Sequence, residues 1–256
     1  MYGSGMQYLP FLSAVHNLVE PRRYLEIGVR MGKSLALADC PSVGIDPAYT
    51  ITAEISGDVT LFRTTSDEYF SRPDPLAATD GEPFDLTFID GMHLCEFALR
   101  DFINAERHSR PESVIVFDDV LPRTVAEAAR QRHTKAWTGD VYQVIDVLAK
   151  YRPEVATILV DTHPTGLMIV VGLDPTNTVL GDNYSEIMAE FRTADPQPVP
   201  QEMLDRTSVQ APERVLTAGF WKVAAEQRAN ASLREYHRRL RSQLAVDFGA
   251  AFSPVS

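Results

Sequence analysis

The segment Tyr24-Leu-Glu-Ile-Gly-Val-Arg-Met-Gly-Lys-Ser34 reads as an apolar strand running into a glycine-bearing turn and a helix start. Val43-Gly-Ile-Asp46 follows as a second short strand ending in an acid. This is the layout of a nucleotide-binding βαβ half, and it commits the chain to a parallel sheet. Gly28 and Gly32 let the backbone turn sharply and approach a ligand closely, where a Cβ would intrude. Asp46 stands about 20 residues past Glu26, where a carboxylate at a strand end can accept both ribose hydroxyls of an adenosine. The dinucleotide fingerprint wants a second glycine two residues after the first, and Arg30 holds that place. The pattern suits a nucleoside ligand without a pyrophosphate better than it suits NAD.

The rest of the chain alternates in the same way. Strands are expected at 24–27, 43–45, 59–62, 85–89 and 113–117. Helices are expected at 11–19 (ended by Pro21), 32–38, 67–70, 94–108 and 123–132. Trp137-Thr-Gly-Asp140 reads as a loop and N-cap for a helix over 141–151. Residues 155–160 and 166–172 are β-rich runs around the tight turn His163-Pro-Thr-Gly166, so they must pair antiparallel. The expected fold is a doubly wound α/β architecture, a seven-stranded, mostly parallel sheet with helices on both faces. Its units are a lead-in over 1–19, the α/β domain over 20–173, and a helical C-terminal extension over 174–256. The extension opens on stiff linker composition, Asp195-Pro-Gln-Pro-Val-Pro200, and continues into one long helix from 219 to about 244. That helix carries Arg228, Arg234, Arg238, Arg239 and Arg241. A solvated face is the first reading of them, a homo-oligomer contact the second, and an anionic acceptor the third.

Composition narrows the partners. A net charge of -11 argues against nucleic acid, which demands a basic face. Cys40 and Cys95 are the only cysteines and lack zinc-ligand or C-x-x-C spacing, so a reduced, cytoplasmic setting is expected. Neither a signal peptide nor an apolar run of the ~20 residues needed for a membrane span is visible.

In an open parallel sheet, ligands bind at the carboxyl ends of the strands. Strand one delivers Gly28 to Ser34, strand two Asp46, strand three Ser66 and Asp67, strand four Asp90-Gly-Met-His93, and strand five Asp118-Asp119. Bland readings stand beside each. Glu26 can be a structural acid bonded to the glycine turn, and Asp46, Asp90 and Asp118 can be caps or turn residues. Adjacent Asp118 and Asp119 are harder to dismiss, because neighbouring carboxylates repel unless a cation or a proton relieves them. Oxygen ligands at that place suit Mg²⁺, Ca²⁺ or Mn²⁺, against the alternative of a metal-free acidic pocket. His93 is either a surface residue capping a helix turn or a general base. Trp137 is either part of a lid or a core anchor.

Taken together, strand-E-x-G-x-x-x-G-x-S, an acid ending strand two, I-D-G-x-H after strand four and V-F-D-D after strand five resemble the class I S-adenosylmethionine-dependent methyltransferases. The likeness covers about residues 20–173 and leans toward the deoxysugar O-methyltransferases of macrolide and aminocoumarin chemistry, more loosely toward catechol O-methyltransferases. It implies a sheet in the order 3-2-1-4-5-7-6 with strand seven antiparallel. It also implies that Glu26, Gly28, Gly32, Ser34, Asp46, Ser66, Asp67 and Asp90 bind S-adenosyl-L-methionine. Asp90, Asp118 and Asp119 would hold Mg²⁺, and His93 would be the base that deprotonates a small hydroxylated acceptor, a sugar- or catechol-like diol. The rival expectations are a metal-independent methyltransferase on the same fold, a non-catalytic nucleoside-binding protein, and a dinucleotide-dependent oxidoreductase, the last disfavoured by Arg30.

Overall fold

The computed structural model describes residues 5–227 and 232–252. Seven strands form one sheet in the order β3-β2-β1-β4-β5-β7-β6. They are β1 (Tyr24–Ile27), β2 (Ser42–Ile45), β3 (Val59–Phe62), β4 (Phe84–Ile89), β5 (Ser109–Phe117), β6 (Ala156–Val160) and β7 (Leu167–Val171). The first five pair parallel, and β7 runs antiparallel to both β5 and β6. Every residue of β4 and β7 is buried, since both faces are covered; β7 is an unbroken apolar run, and β4 is apolar apart from Asp85 and Thr87.

Helices α1 (Tyr8–Val19), α2 (Ser66–Phe70), α3 (Cys95–Arg107) and α4 (Gln143–Tyr151) belong to the part of the chain that winds the sheet. Six more follow β7: α5 (Val179–Asp182), α6 (Tyr184–Phe191), α7 (Gln201–Leu204), α8 (Pro212–Leu216), α9 (Phe220–Glu226) and α10 (Leu233–Phe248). One face of the sheet packs Leu25, Ile27, Ile89 and Phe117 against Leu99 and Phe102 of α3 and Val144 and Val147 of α4. The other packs Tyr24, Leu86, Phe88, Val114 and Val116 with Phe11, Leu12 and Val15 of α1 and with Phe220, Tyr236, Leu240 and Leu244 from the C-terminal helices.

Three expectations are corrected. The helix over 32–38 is only a 3-10 turn, Leu35–Leu37. Arg30 and Gly32 both have left-handed backbone, and the chain must regain the sheet at Ser42, so no helix of length develops. C-terminal helices α9 and α10 help cover the sheet face on that side. Residues 123–132 are irregular turns. They wrap Glu127, whose carboxylate takes the Arg123 side chain and amide, and whose carbonyl takes the Thr138 and Gly139 amides. The single long helix from 219 is two helices, α9 and α10. The second starts afresh where the Ser232 hydroxyl caps the Glu235 amide. Arg228 lies outside the described residues. Arg238 pairs with Glu235 and Arg239 with Glu226, while Arg241 donates to the Pro153 and Val155 carbonyls, so these three serve contacts within the chain.

Register then places the loops. Ile27 is the Cα partner of both Ile45 and Ile89, and Ile89 is the partner of Phe117. Gly28, Asp46, Asp90 and Asp118 are therefore each the first residue past a strand, in one row along the carboxyl edge. Gly28 is where this row is tightest: its φ is +91°, and a Cβ there would sit 1.9 Å from the Asp90 carbonyl oxygen. Gly28→Ala should cost about 3 kcal/mol or more in urea denaturation, since both backbone and neighbour resist it. Gly81→Ala has a similar φ with nothing within 4 Å. It should cost only about 1 kcal/mol, the conformational penalty alone.

Candidate active site

The row of strand ends is held by the chain's own hydrogen bonds. Glu26 is fully buried and accepts from the Tyr24 hydroxyl at 2.7 Å and the Ser34 hydroxyl at 2.8 Å, tying the start of the 3-10 turn to β1. Burial, reinforced by Asp90, pushes its carboxyl up to about 8 against the pull of those donors. Asp46 accepts the Arg30 amide at 2.7 Å and the Ala48 amide at 2.6 Å, so it fixes the left-handed turn after Gly28. Gly28 backs onto the Asp90 backbone and Gly32 onto the Ile51 and Ile55 side chains. The close approaches these two glycines permit are thus to other parts of the protein.

Ser66 and Asp67 open α2, whose N-terminus is closed by a Thr65–Glu68 capping box. Asp67 is engaged by the Arg100 guanidinium at 2.8–3.1 Å. Ser66 bonds the buried Asp101, whose carboxyl burial pushes up to about 7.

The acids at β4 and β5 draw together. Asp90, His93 and Asp119 offer one ligand atom each, all within 4.8 Å of one another. His93 Nε2 lies 3.3 Å from Asp90, and its Nδ1 lies 3.1 Å from Asp119 and 2.8 Å from the Trp137 carbonyl. Burial works against a charged imidazole here, but Asp90, Asp119 and the Trp137 carbonyl outweigh it and push His93 up to about 9. Asp118 is buried beside the group and turns its carboxylate back to accept the Asp119 amide at 2.8 Å. Burial first, then Asp119 and Asp90, hold its carboxyl well above the usual range. Asp119 itself has φ +59° and is pushed up to about 6 by burial, against the favourable field of His93. The trio of close donors thus includes His93 where the resemblance had placed Asp118. A cavity of about 10 Å³ lies among Asp90, Gly91, His93, Phe117 and Asp118, room for one small group.

The irregular segment after β5 closes over this group. The Trp137 ring stacks on His93 at 5.1 Å, and Gly139 sits where a Cβ would meet the His93 carbonyl at 1.6 Å. Asp140 was expected to cap its own helix; its carboxylate caps α3 instead, accepting the Cys95 amide at 2.8 Å. Arg130 joins Asp140 to Glu96, and its amide donates to Asp195 of the C-terminal extension at 2.9 Å. Sequence reasoning missed Arg130, whose role comes from contacts between distant parts of the chain, for which no local motif exists.

A family described as a methyltransferase domain matches residues 25–120. The curated proteins include no match to this sequence. Among solved structures, an O-methyltransferase from Bacillus cereus in complex with SAH is 19% identical with a TM-score of 0.46, covering 63% of this chain and 79% of that one. TomG from Streptomyces achromogenes, an O-methyltransferase of tomaymycin synthesis in complex with SAM, is 22% identical with a TM-score of 0.45, covering 62% and 77%.

The raised Glu26 carboxyl has a consequence for stability. The folded protein keeps this proton where the unfolded chain, at about 4.5, has lost it. Stability is therefore fully present below that value and falls as pH rises toward about 8. Thermal unfolding between pH 5 and 8 should show this loss, and Glu26→Gln, which cannot ionise, should flatten it.

Residues 25–120 match a methyltransferase domain family, and the sheet has the strand order 3-2-1-4-5-7-6 that the resemblance implies.

Proposed function

We propose that the protein methylates an oxygen of a small hydroxylated acceptor, a sugar- or catechol-like diol, using S-adenosylmethionine and a divalent cation such as Mg²⁺. The observation that carries this reading is the grouping of Asp90, His93 and Asp119 within 4.8 Å, beside the glycine turn of β1. In this reading Glu26, Gly28, Gly32, Ser34, Asp46 and Asp90 shape the cofactor side. Ser66 and Asp67 flank its adenine end, with Asp67 already bound to Arg100. The donor set fits a cation: mutually repelling carboxylates, partly buried, gain most from a positive charge between them. Two carboxylates suit Mg²⁺.

When bound, the cofactor supplies an electrophilic methyl group, and the cation chelates neighbouring hydroxyls and lowers their pKa. The chain's own residues do the rest. Nδ1 of His93 is anchored by the Trp137 carbonyl, and Nε2 lies 3.3 Å from Asp90; a cation held by Asp90 and Asp119 would offset the pull that keeps the imidazole charged and leave Nε2 able to take an acceptor proton. Trp137 stacks on one face of the imidazole and covers part of it. Methyl transfer is an in-line displacement, so alignment by these walls supplies much of the acceleration.

A metal-independent version is favoured by one observation. An imidazolium at His93 already sits between Asp90 and Asp119 and relieves the same repulsion. Metal-stripped protein in excess EDTA separates the two: retained turnover selects the metal-independent enzyme.

His93→Ala and Asp119→Asn should each lower turnover on a diol acceptor by about 100-fold or more, with S-adenosylhomocysteine affinity kept within about two-fold. Asparagine tolerates the left-handed backbone at 119, so that variant tests chemistry and not folding. Calorimetry on metal-stripped protein should show a Mg²⁺ signal that Asp119→Asn abolishes. Full activity in both variants would remove this mechanism.

A further inference from the structure

The first described residues lie against the turn between β6 and β7. The His163 amide donates to the Met6 carbonyl at 2.9 Å, the Tyr8 amide donates to the His163 carbonyl at 3.1 Å, and Gln7 and His163 form a parallel bridge. Because α1 starts at Tyr8, this strap decides where the Tyr8 ring goes. It lies nearly parallel over Phe88, 6.4 Å between centroids and 15° between planes.

Phe88 is the Cα partner of Glu26 and of Val116. Side chains on a strand return to the same face every second residue. Asp90 and Asp118 therefore leave the sheet on Tyr8's side, one step beyond Phe88 and Val116. Burial first, and then the fields of Asp118, Asp90, Glu26 and Asp119, hold the phenol protonated far above neutral pH. The hydroxyl makes no hydrogen bond to a described residue. A neutral aromatic oxygen amid four carboxyl groups borders a place suited to a cationic group. In S-adenosylmethionine the cationic groups are the sulfonium and the ammonium, and only the sulfonium is lost on methyl transfer.

We propose that Tyr8 is a cofactor-contacting residue whose phenolic oxygen faces the sulfonium end of S-adenosylmethionine and separates the charged cofactor from its neutral thioether product. Carbon–hydrogen bonds beside a sulfonium are polarised, and an oxygen lone pair accepts them as weak hydrogen bonds. The thioether product has lost both the charge and the methyl group, so it loses this contact and leaves more readily. The inference rests on the methyltransferase reading above.

The test is calorimetric measurement of Kd for S-adenosylmethionine and for S-adenosylhomocysteine, in Mg²⁺ buffer, on wild type and Tyr8→Phe. Phenylalanine keeps the ring over Phe88 and removes only the oxygen. The variant should bind S-adenosylmethionine about five-fold more weakly and S-adenosylhomocysteine as the wild type does. The ratio of the two constants guards against a general loosening of the fold, which would weaken both alike. Equal change in both ligands, or no change in either, overturns the role of Tyr8 alone. A wild type that binds neither ligand removes the methyltransferase reading, and this inference with it.

Discussion

The structure turns on the contact between the backbone of Gly28 and the carbonyl of Asp90. No side chain fits between them, so the end of β1 lies directly against the end of β4. The register of the parallel strands extends that contact into a row, in which Gly28, Asp46, Asp90 and Asp118 leave the sheet side by side. A one-residue slip would send each of these groups to the opposite face of the sheet. Dense apolar packing on both faces, with β4 and β7 buried throughout, keeps that slip from occurring.

Convergence of acids creates an electrostatic problem that the rest of the site is arranged around. Glu26, Asp118 and Asp119 are all pushed above the ordinary carboxylate range, chiefly by burial. Positive charge at His93 is the relief visible within the chain, and a divalent cation would be a second. The segment after β5 holds His93 in place through the Trp137 carbonyl and ring. Arg130 in turn clasps that segment to α3 and to Asp195. Gln197, also from the extension and buried, reaches the Tyr142 hydroxyl just before α4. The C-terminal third therefore contributes to the geometry of the site as well as to the covering of the sheet.

Most of the candidate site was legible because its residues fall immediately after strands that announce themselves. Phe84–Ile89 and the apolar end of β5 are unmistakable buried runs, and each is followed at once by its acids. The β6–β7 hairpin was legible from a connection too short for a parallel crossover. Failures came where local propensity met a tertiary demand. Residues 32–38 have helical composition, but left-handed turns at Arg30 and Gly32 and the early return to β2 leave only one 3-10 turn. Residues 123–132 have helical composition too, but Glu127 spends its carboxylate and carbonyl on tertiary bonds and the segment stays irregular.

By itself the sequence determined the strand periodicity, the glycine turn after β1, and which acids stand at strand ends. Those depend on residues a few positions apart, whose constraints are written locally. Only the tertiary structure decided that His93 joins Asp90 and Asp119 while Asp118 turns back to its own backbone. It alone laid Trp137 on His93, capped α3 with Asp140, and brought Tyr8 over Phe88 through a bridge to His163. Each of these is a contact across a large separation in sequence, or the choice of one rotamer among several. Packing of the whole core selects such arrangements, and no short pattern of residues encodes them.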